Sequence, residues 1–340
     1  MRGEAVLRCE RVTMDFRTTI KPTASNGLMS HSDKLMLIGS CVSDHIGGKM
    51  RHAMMDVVIN PTGTVYNPLS VAATVRRLVT GEAVAGMDLF QQGGVWNSYD
   101  FHSRFSLPDK TATLERMNAR IAEAHEFLRL ADTVILTLGT AVVYRRRDTG
   151  AVVANCHKVP QHEFQRSLST LDELVEALVE SVELLRNYNP GLRIIFTVSP
   201  IRHVADRLEM NSLSKAMLRV AVGEVERRYG DLVGYFPAYE IMMDDLRDYR
   251  FYAADMVHPS EVAIEYIWQT FQGTYFDDRD VQAIARCERV AKRLQHRPMS
   301  HSREAVERFQ ADTRAVVRNL VKEYPHLEHL KEIRDLLDND

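Results

Sequence analysis

The sequence has little cysteine, and none of it is paired at short spacing. Its four cysteines, Cys9, Cys41, Cys156 and Cys287, are spread over 340 residues without any CxxC pair. Such pairs are typical of zinc sites and of thiol–disulfide chemistry, so we expect free thiols and no metal. The first residues also lack the uninterrupted apolar core of a secretory signal. Together these absences predict a soluble, cytoplasmic protein.

Long apolar runs and an excess of one charge are lacking as well. No segment reaches the ~20 consecutive apolar residues that span a bilayer, so we expect no membrane insertion. The 43 basic and 46 acidic residues are interleaved and give a formal net charge of −3. Because nucleic-acid binding usually requires clustered Lys and Arg on one surface, we expect no nucleic-acid partner.

Short apolar runs alternate with amphipathic segments along most of the chain. Five runs predict buried strands, at residues 35–38, 57–59, 133–138, 193–198 and 232–236. Three segments between them predict helices, at residues 68–79, 113–130 and 169–189. At the start of the third, Thr170 and Glu173 have the spacing of a capping box. This alternation predicts an α/β fold in which helices cover both faces of a parallel sheet.

The chain divides into three predicted parts. Residues 1–34 form a polar N-terminal arm, residues 35–276 an α/β domain, and residues 277–340 a charged C-terminal helical extension. In the extension, helices are predicted at residues 282–294, 302–322 and 327–338. They could pack on the domain or on a second copy of the chain, which would give a homo-oligomer.

Two short segments carry side chains suited to acyl transfer. Cys41 follows the first predicted strand in Gly39-Ser40-Cys41, and Asp255 precedes His258 by three residues. This spacing lets the carboxylate bind Nδ1 of the imidazole while Nε2 faces outward as a general base. A nucleophile, a base and an orienting carboxylate are the minimum for this chemistry. The structural alternatives are a buried cysteine in a turn and a histidine that bonds only to its own loop.

The position of Cys41 after a strand predicts its activation. A helix that starts there would turn its positive end toward the thiol, which lowers a thiol pKa. Ligands of parallel sheets bind beyond the carboxyl ends of the strands. Gly63 and Gly139 follow two other predicted strands, and glycine there lets a backbone N–H face the site as part of an oxyanion hole.

These residues and their surroundings resemble the GSCFA family, a branch of the SGNH/GDSL hydrolases and acyltransferases. The signature lies in Gly39-Ser40-Cys41-Val42-Ser43, and the similarity covers about residues 33–275. Further similar segments follow in order at residues 63–68, 100–103, 137–141, 155–158, 196–203, 235–240 and 255–259. The resemblance implies a three-layer α/β/α fold and acyl transfer or ester hydrolysis through a covalent acyl-enzyme.

The resemblance also implies roles for individual residues. Cys41 occupies the nucleophile position, with Ser40 beside it as the alternative nucleophile. Asp255 and His258 match the Asp-x-x-His motif of the superfamily. Gly63 matches the glycine whose backbone N–H helps to hold the oxyanion.

One position departs from the pattern of the superfamily. Ala141 stands where the third sequence block usually has the asparagine of the oxyanion hole. Asn67 or Asn155 is the expected substitute. The same departure keeps open a second function, a noncatalytic carbohydrate- or protein-binding module on a degenerate SGNH fold.

Further polar residues are candidates for substrate binding. His157 lies in the polar segment 155–158, which could equally be a hairpin turn, and Arg202 and His203 follow a predicted strand. The segment of His157 could donate to an oxyanion or bind an acyl donor, whereas Arg202 and His203 could bind a charged or sugar substrate. Cys156 and His157 lack the spacing of metal ligands, and we expect no cofactor. The sequence thus predicts an acyltransferase or esterase for an ester, thioester or glycan O-acyl substrate, whose partners are an acyl donor and a small-molecule or glycan acceptor.

Overall fold

The computed structural model describes residues 17–23, 25, 27–296 and 302–338. Its strands are β1 (Lys34–Gly39), β2 (Asp56–Ile59), β3 (Phe90–Gln92), β4 (Val95–Asn97), β5 (Thr133–Leu138), β6 (Val142–Arg146), β7 (Val152–Val153), β8 (Phe164–Leu168), β9 (Arg193–Val198) and β10 (Val233–Phe236). Its helices are α1 (Cys41–His52), α2 (Pro68–Thr80), α3 (Lys110–Leu130), α4 (Leu171–Tyr188), α5 (Leu208–Tyr229), α6 (Ala238–Glu240), α7 (Glu261–Tyr275), α8 (Asp278–Gln295), α9 (Arg303–Glu323) and α10 (Lys331–Asp338).

A five-stranded parallel sheet in the order β2-β1-β5-β9-β10 forms the centre of the fold. From β1 the chain goes outward to β2 and then crosses to β5 on the other side of β1. The direction of winding therefore reverses between β1 and β5, where Gly39 lies opposite Thr137. In open parallel sheets, ligands bind at the carboxyl ends of the strands beside such a reversal. This topology therefore predicts a ligand site at the carboxyl end of β1.

Both faces of this sheet are buried, as the continuous apolar runs predicted. Along β1, Leu35 and Leu37 pack into one core with residues of α1 and α7. Met36 and Ile38 point to the opposite face and pack into a second core with residues of α2, α4 and α5. The expected three-layer α/β/α arrangement with a parallel sheet is confirmed. All five predicted strands are present, and the last begins at Val233 because residues 230–232 form a 3₁₀ turn.

The three helices predicted within the α/β domain are confirmed, and among them the start of α3 differs most from its prediction. In α4, the Thr170 hydroxyl accepts the N–H of Glu173 and the Glu173 carboxylate accepts the N–H of Thr170, which is the predicted capping box. The third helix of the chain, α3, begins three residues before the predicted residue 113. Its N-cap is Asp109, whose Oδ1 accepts the N–H of Ala112 at 2.7 Å. The prediction followed the apolar periodicity, which starts later than the cap.

Two small antiparallel sheets were missed. One is the hairpin of β3 and β4, and the other has the order β7-β6-β8 and is inserted between β5 and α4. Their strands have two to five residues, too short for alternation to stand out from the sequence. The polar segment 155–158 follows β7 and belongs to this insertion.

The predicted helical extension is present and packs on the α/β domain. Met54, at the end of α1, lies in one apolar cluster with Cys287 of α8 and Val317 of α9. The third helix begins at Lys331 rather than 327, because residues 325–329 form a 3₁₀ turn that starts at a proline. The domain boundaries at 34/35 and 276/277 stay predictions, as does a homo-oligomer. Residues 1–16 of the N-terminal arm, including Cys9, lie outside the described residues. None of the described helices combines the length and apolar character needed to cross a membrane.

Candidate active site

A cavity of about 560 Å³ opens beside the carboxyl ends of β1 and β5. Cys41 and Thr140 lie at these two strand ends, and the antiparallel insertion supplies Tyr144 and Val153 on another wall. The loop before α7 contributes His258. Residues separated by more than 200 positions in the sequence thus meet at the reversal point of the sheet.

Cys41 reaches the cavity because of a tight turn at Gly39. Gly39 has φ 145°, and a Cβ atom there would lie 2.1 Å from the carbonyl oxygen of Thr137 on β5. Ser40 follows as the N-cap of α1, with its hydroxyl oxygen accepting the N–H of Val42 at 3.4 Å. Cys41 is then the first residue of the helix and lines the cavity, whereas Ser40 is 1% exposed and does not. The geometry places the thiol, and not the Ser40 hydroxyl, where a substrate can bind.

The expected low pKa of the Cys41 thiol is wrong. Burial raises the pKa of Cys41 above its ordinary value, and a hydrogen bond with Tyr66 opposes this only in part. The two side chains are in contact, with 3.8 Å between Sγ and the phenol oxygen. Although Cys41 lies at the positive end of α1, it is therefore a neutral thiol in the resting protein. A base must remove its proton before it can attack.

Asp255 and His258 form the predicted pair. Nδ1 of His258 donates to Oδ2 of Asp255 at 2.6 Å, while Oδ1 accepts the backbone N–H groups of Val257 and His258 at 2.9 and 3.0 Å. These backbone and side-chain hydrogen bonds lower the pKa of Asp255 to about 2. The carboxylate is thus ionised at neutral pH and holds the proton of the imidazole on Nδ1. His258 lines the cavity, and Nε2 is left as the basic nitrogen.

The structure contradicts the expected oxyanion contact of Gly63. Its N–H donates to the carbonyl of Asn60 at 2.8 Å, so it is already engaged. Glycine is required there for another reason, since it has φ 97° and a Cβ would lie 2.1 Å from Cβ of His102. The N–H groups of Gly139 and Thr140 are also engaged, because both donate to the carbonyl of Tyr66, at 2.7 and 3.0 Å.

Asn67 and Asn155, the two predicted side-chain donors, both line the cavity. Asn67 is the N-cap of α2, where its Oδ1 accepts the N–H of Ser70 at 2.8 Å. Oδ1 of Asn155 accepts the N–H of His157 at 3.1 Å. Each carbonyl oxygen is thus held by the backbone, which leaves the amide Nδ2 as the group that can donate to a ligand.

His157 does not line the cavity, so its role in substrate binding stays a prediction without support from the described structure. Its Nε2 donates to the carbonyl of Ser98 at 2.7 Å, and the residue is 9% exposed. His157 instead fixes the insertion to the segment after β4. Arg202 and His203 do line the cavity, as expected.

Sequence reasoning missed Lys215, which is 2% exposed beneath this site. Its Nζ donates to the carbonyls of Gly139 and Ser199, at 2.5 and 2.6 Å, and so joins the ends of β5 and β9. Burial lowers the pKa of Lys215 to about 7. The pKa of His203 is lowered to about 4, mainly by burial and secondly by the charge of Lys215. The imidazole of His203 is therefore neutral at pH 7. Helical spacing from the buried Leu218 could have identified Lys215 as inward-facing.

Other residues of the cavity were overlooked or given no role. Tyr66 lies within one of the segments that resemble the family, and its phenol is the polar group in contact with Cys41. Cys156 and Arg166 line the cavity from the unforeseen insertion, where Nε of Arg166 donates to the phenol oxygen of Tyr144 at 2.9 Å. Among the residues that the structure describes, no group of His, Cys, Asp and Glu could hold a metal ion.

Comparison with known proteins identifies one family. The sequence model of the GSCFA family matches residues 34–271. No curated protein sequence matches the chain. A solved structure described as a platelet activating factor from Streptococcus pneumonia has 10% identity and a TM-score of 0.38, over 71% of this chain and 83% of the other.

Two carbohydrate-related esterases are also similar in structure. The acetyl xylan esterase Est2A from the rumen bacterium Butyrivibrio proteoclasticus has 13% identity and a TM-score of 0.35, over 72% of this chain and 63% of the other. A family two carbohydrate esterase from Clostridium thermocellum has 14% identity and a TM-score of 0.29, with the same coverage of 72% and 63%. Such low scores carry no argument about activity.

Proposed function

The chain is a member of the GSCFA family, and on this premise we propose that it is an acyltransferase or esterase that works through an acyl-enzyme on Cys41. The observation that supports the proposal most is that Cys41 and His258 line one cavity, with the imidazole of His258 held from behind by Asp255. The substrate is an ester, a thioester or a glycan O-acyl group.

In the first half of the reaction, Nε2 of His258 takes the proton of the Cys41 thiol as Sγ attacks the carbonyl carbon of the acyl donor. The bond to the leaving group then breaks, and His258 gives its proton to that alcohol or thiol. Cys41 is left as a thioester. Because burial keeps the thiol protonated, the base has to act in the same step as the attack.

In the second half, His258 takes a proton from the acceptor, which is water in hydrolysis and a hydroxyl or amine in transfer. The acceptor attacks the thioester, and the thiol is restored with the proton from His258. Asp255 keeps the imidazole in one tautomer through both halves and stabilises the imidazolium. Cys41 and His258 make no direct hydrogen bond in the described structure. Hydrogen bonds between catalytic groups are often long before the substrate binds and tighten in the complex.

The negative charge that develops on the carbonyl oxygen needs donors. The N–H of Cys41 belongs to the first turn of α1, where a helix has amide groups without an internal partner. The phenol of Tyr66 and the amides of Asn67 and Asn155 reach the same cavity. We assign the oxyanion hole to this set in place of the backbone of Gly63.

A test of the proposal uses p-nitrophenyl esters and acyl thioesters with intact-mass detection of the acylated protein. We expect one acyl adduct in the wild type and in Cys156→Ala, and none in Cys41→Ala. Cys156 is a matched control because its thiol lines the same cavity. An adduct that persists in Cys41→Ala excludes this thiol as the nucleophile. A wild type that forms no adduct with any of these donors counts against the acyl-enzyme and favours the noncatalytic binding module.

A further inference from the structure

The cavity is lined by positive and neutral groups. Among its described lining residues are Arg166 and Arg202, and none is Asp or Glu. This contrasts with the whole chain, whose formal net charge is −3. His203 adds no charge at neutral pH, since its pKa is lowered to about 4. Among the described lining residues, the groups that stay positively charged at every physiological pH are therefore the guanidinium groups of Arg166 and Arg202.

Arg202 is held at the cavity by aromatic stacking. The centre of its guanidinium lies 4.1 Å from the ring centroid of Tyr252 and 5.3 Å from that of Tyr249. The backbone N–H of Arg202 donates to the carbonyl of Val257 at 3.3 Å, which joins it to the loop of His258. The side chain of Arg202 also donates a hydrogen bond to the phenol of Tyr252. Stacking occupies the face of a guanidinium, whereas its remaining N–H donors project from the edge.

Arg202 has no carboxylate partner within the part of the chain that the structure describes. Of the acids near Arg202, Asp255 binds His258. Asp248 shares a second pocket with Arg202, but its Oδ1 accepts the backbone N–H of Arg250 at 2.8 Å and it makes no ion pair with Arg202. Arg202 is thus fixed by rings at a cavity whose described lining includes no acid. A guanidinium in such a place can bind a carboxylate or a phosphate in two parallel hydrogen bonds.

We propose that the substrate of this site carries an anionic group, a carboxylate or a phosphate, and that Arg202 binds it. The reaction itself rests on the function proposed above, but the binding of the anion can be measured without turnover. The structural alternative is that Arg202 only joins the rings of Tyr249 and Tyr252, in which case anionic and neutral substrates should respond alike to its removal.

Three matched p-nitrophenyl esters test the proposal: the ester of succinic acid with a free carboxylate, its neutral methyl ester, and the ester of 3-phosphonopropionic acid. The quantity measured is the ratio of kcat/KM for each anionic ester to kcat/KM for the neutral one. We expect a ratio above one, and a loss of ~10–100-fold in that ratio in Arg202→Gln. The larger of the two ratios identifies the anion as carboxylate or phosphate.

Arg228→Gln is the matched control. Arg228 also stacks on a ring, 5.5 Å from the centroid of Tyr229, but it does not line the cavity. It should leave the ratios unchanged. Ratios near one in the wild type, or equal losses for anionic and neutral esters in Arg202→Gln, overturn the proposal.

A binding experiment separates this proposal from the proposed reaction. In Cys41→Ala, which cannot be acylated, succinate or methylphosphonate should raise the thermal midpoint while neutral succinamide does not. The rise should disappear in the double variant with Arg202→Gln and remain in that with Arg228→Gln. Anion binding that survives Arg202→Gln overturns the inference. Binding without any acyl adduct in the wild type supports the anion site and refutes the reaction.

Discussion

Replacing Lys215 with methionine should flatten the dependence of stability on pH above neutrality. Lys215 has an ordinary pKa of 10.5 in the unfolded chain and about 7 in the folded protein, where it is buried. Between these values the unfolded chain binds a proton that the folded protein does not. Stability therefore rises with pH in this window and is independent of this group well below pH 7.

The size of the effect follows from the two pKa values. The linkage relation gives a gain of about 2 kcal/mol in the free energy of unfolding between pH 7 and pH 9 from this one group. Full burial means that solvent screening does not reduce the figure. Lys215→Met also removes the hydrogen bonds to the carbonyls of Gly139 and Ser199, so its absolute stability changes as well. Only the difference between the two pH values isolates the titration.

Urea unfolding of wild type and Lys215→Met at pH 7 and pH 9 measures this difference. We expect the wild type to gain about 2 kcal/mol more than the variant between the two pH values. Lys322→Met, which removes an exposed lysine on α9, controls for the loss of one charge. Parallel pH profiles for wild type and Lys215→Met would show that Lys215 is not desolvated in the folded state, and the reasoning would be refuted.

Three further predictions concern the site. Asp255→Asn should lower kcat/KM by ~10²–10⁴-fold without unfolding the protein, because the amide no longer selects the tautomer of His258; full activity in steady-state assays would remove Asp255 from the triad. Asn67→Asp keeps the oxygen that caps α2 but loses the amide donor. If Asn67 belongs to the oxyanion hole, kcat should fall ~10²–10³-fold while thermal stability stays the same. An unchanged kcat would favour Asn155 as the donor. Gly39→Ala should misfold or lose Cys41 labelling by a thiol-reactive probe, since its Cβ would lie 2.1 Å from a backbone oxygen; a folded variant with normal labelling would contradict the turn geometry.

The sequence by itself determined the elements whose signals are local. The buried strands appear as apolar runs because both faces of the parallel sheet are covered, and α4 is marked by its own cap at Thr170. The pairing of Asp255 with His258 is equally local, since a three-residue loop brings the two side chains together. Cys41 could be identified as well, since it follows a strand at an edge where ligands of parallel sheets bind.

Only the tertiary structure decided the state of these groups. The pKa of Cys41 is raised because distant segments, including Tyr66, bury the thiol, and burial outweighs the positive end of α1. The N–H of Gly63 is not available for the oxyanion because it donates to the carbonyl of Asn60 within a turn. Arg202 gained its position from rings some 50 residues away in the sequence, at Tyr249 and Tyr252. Desolvation and hydrogen-bond competition depend on every segment that packs around a group, so they cannot be deduced from the residues adjacent to it in the chain.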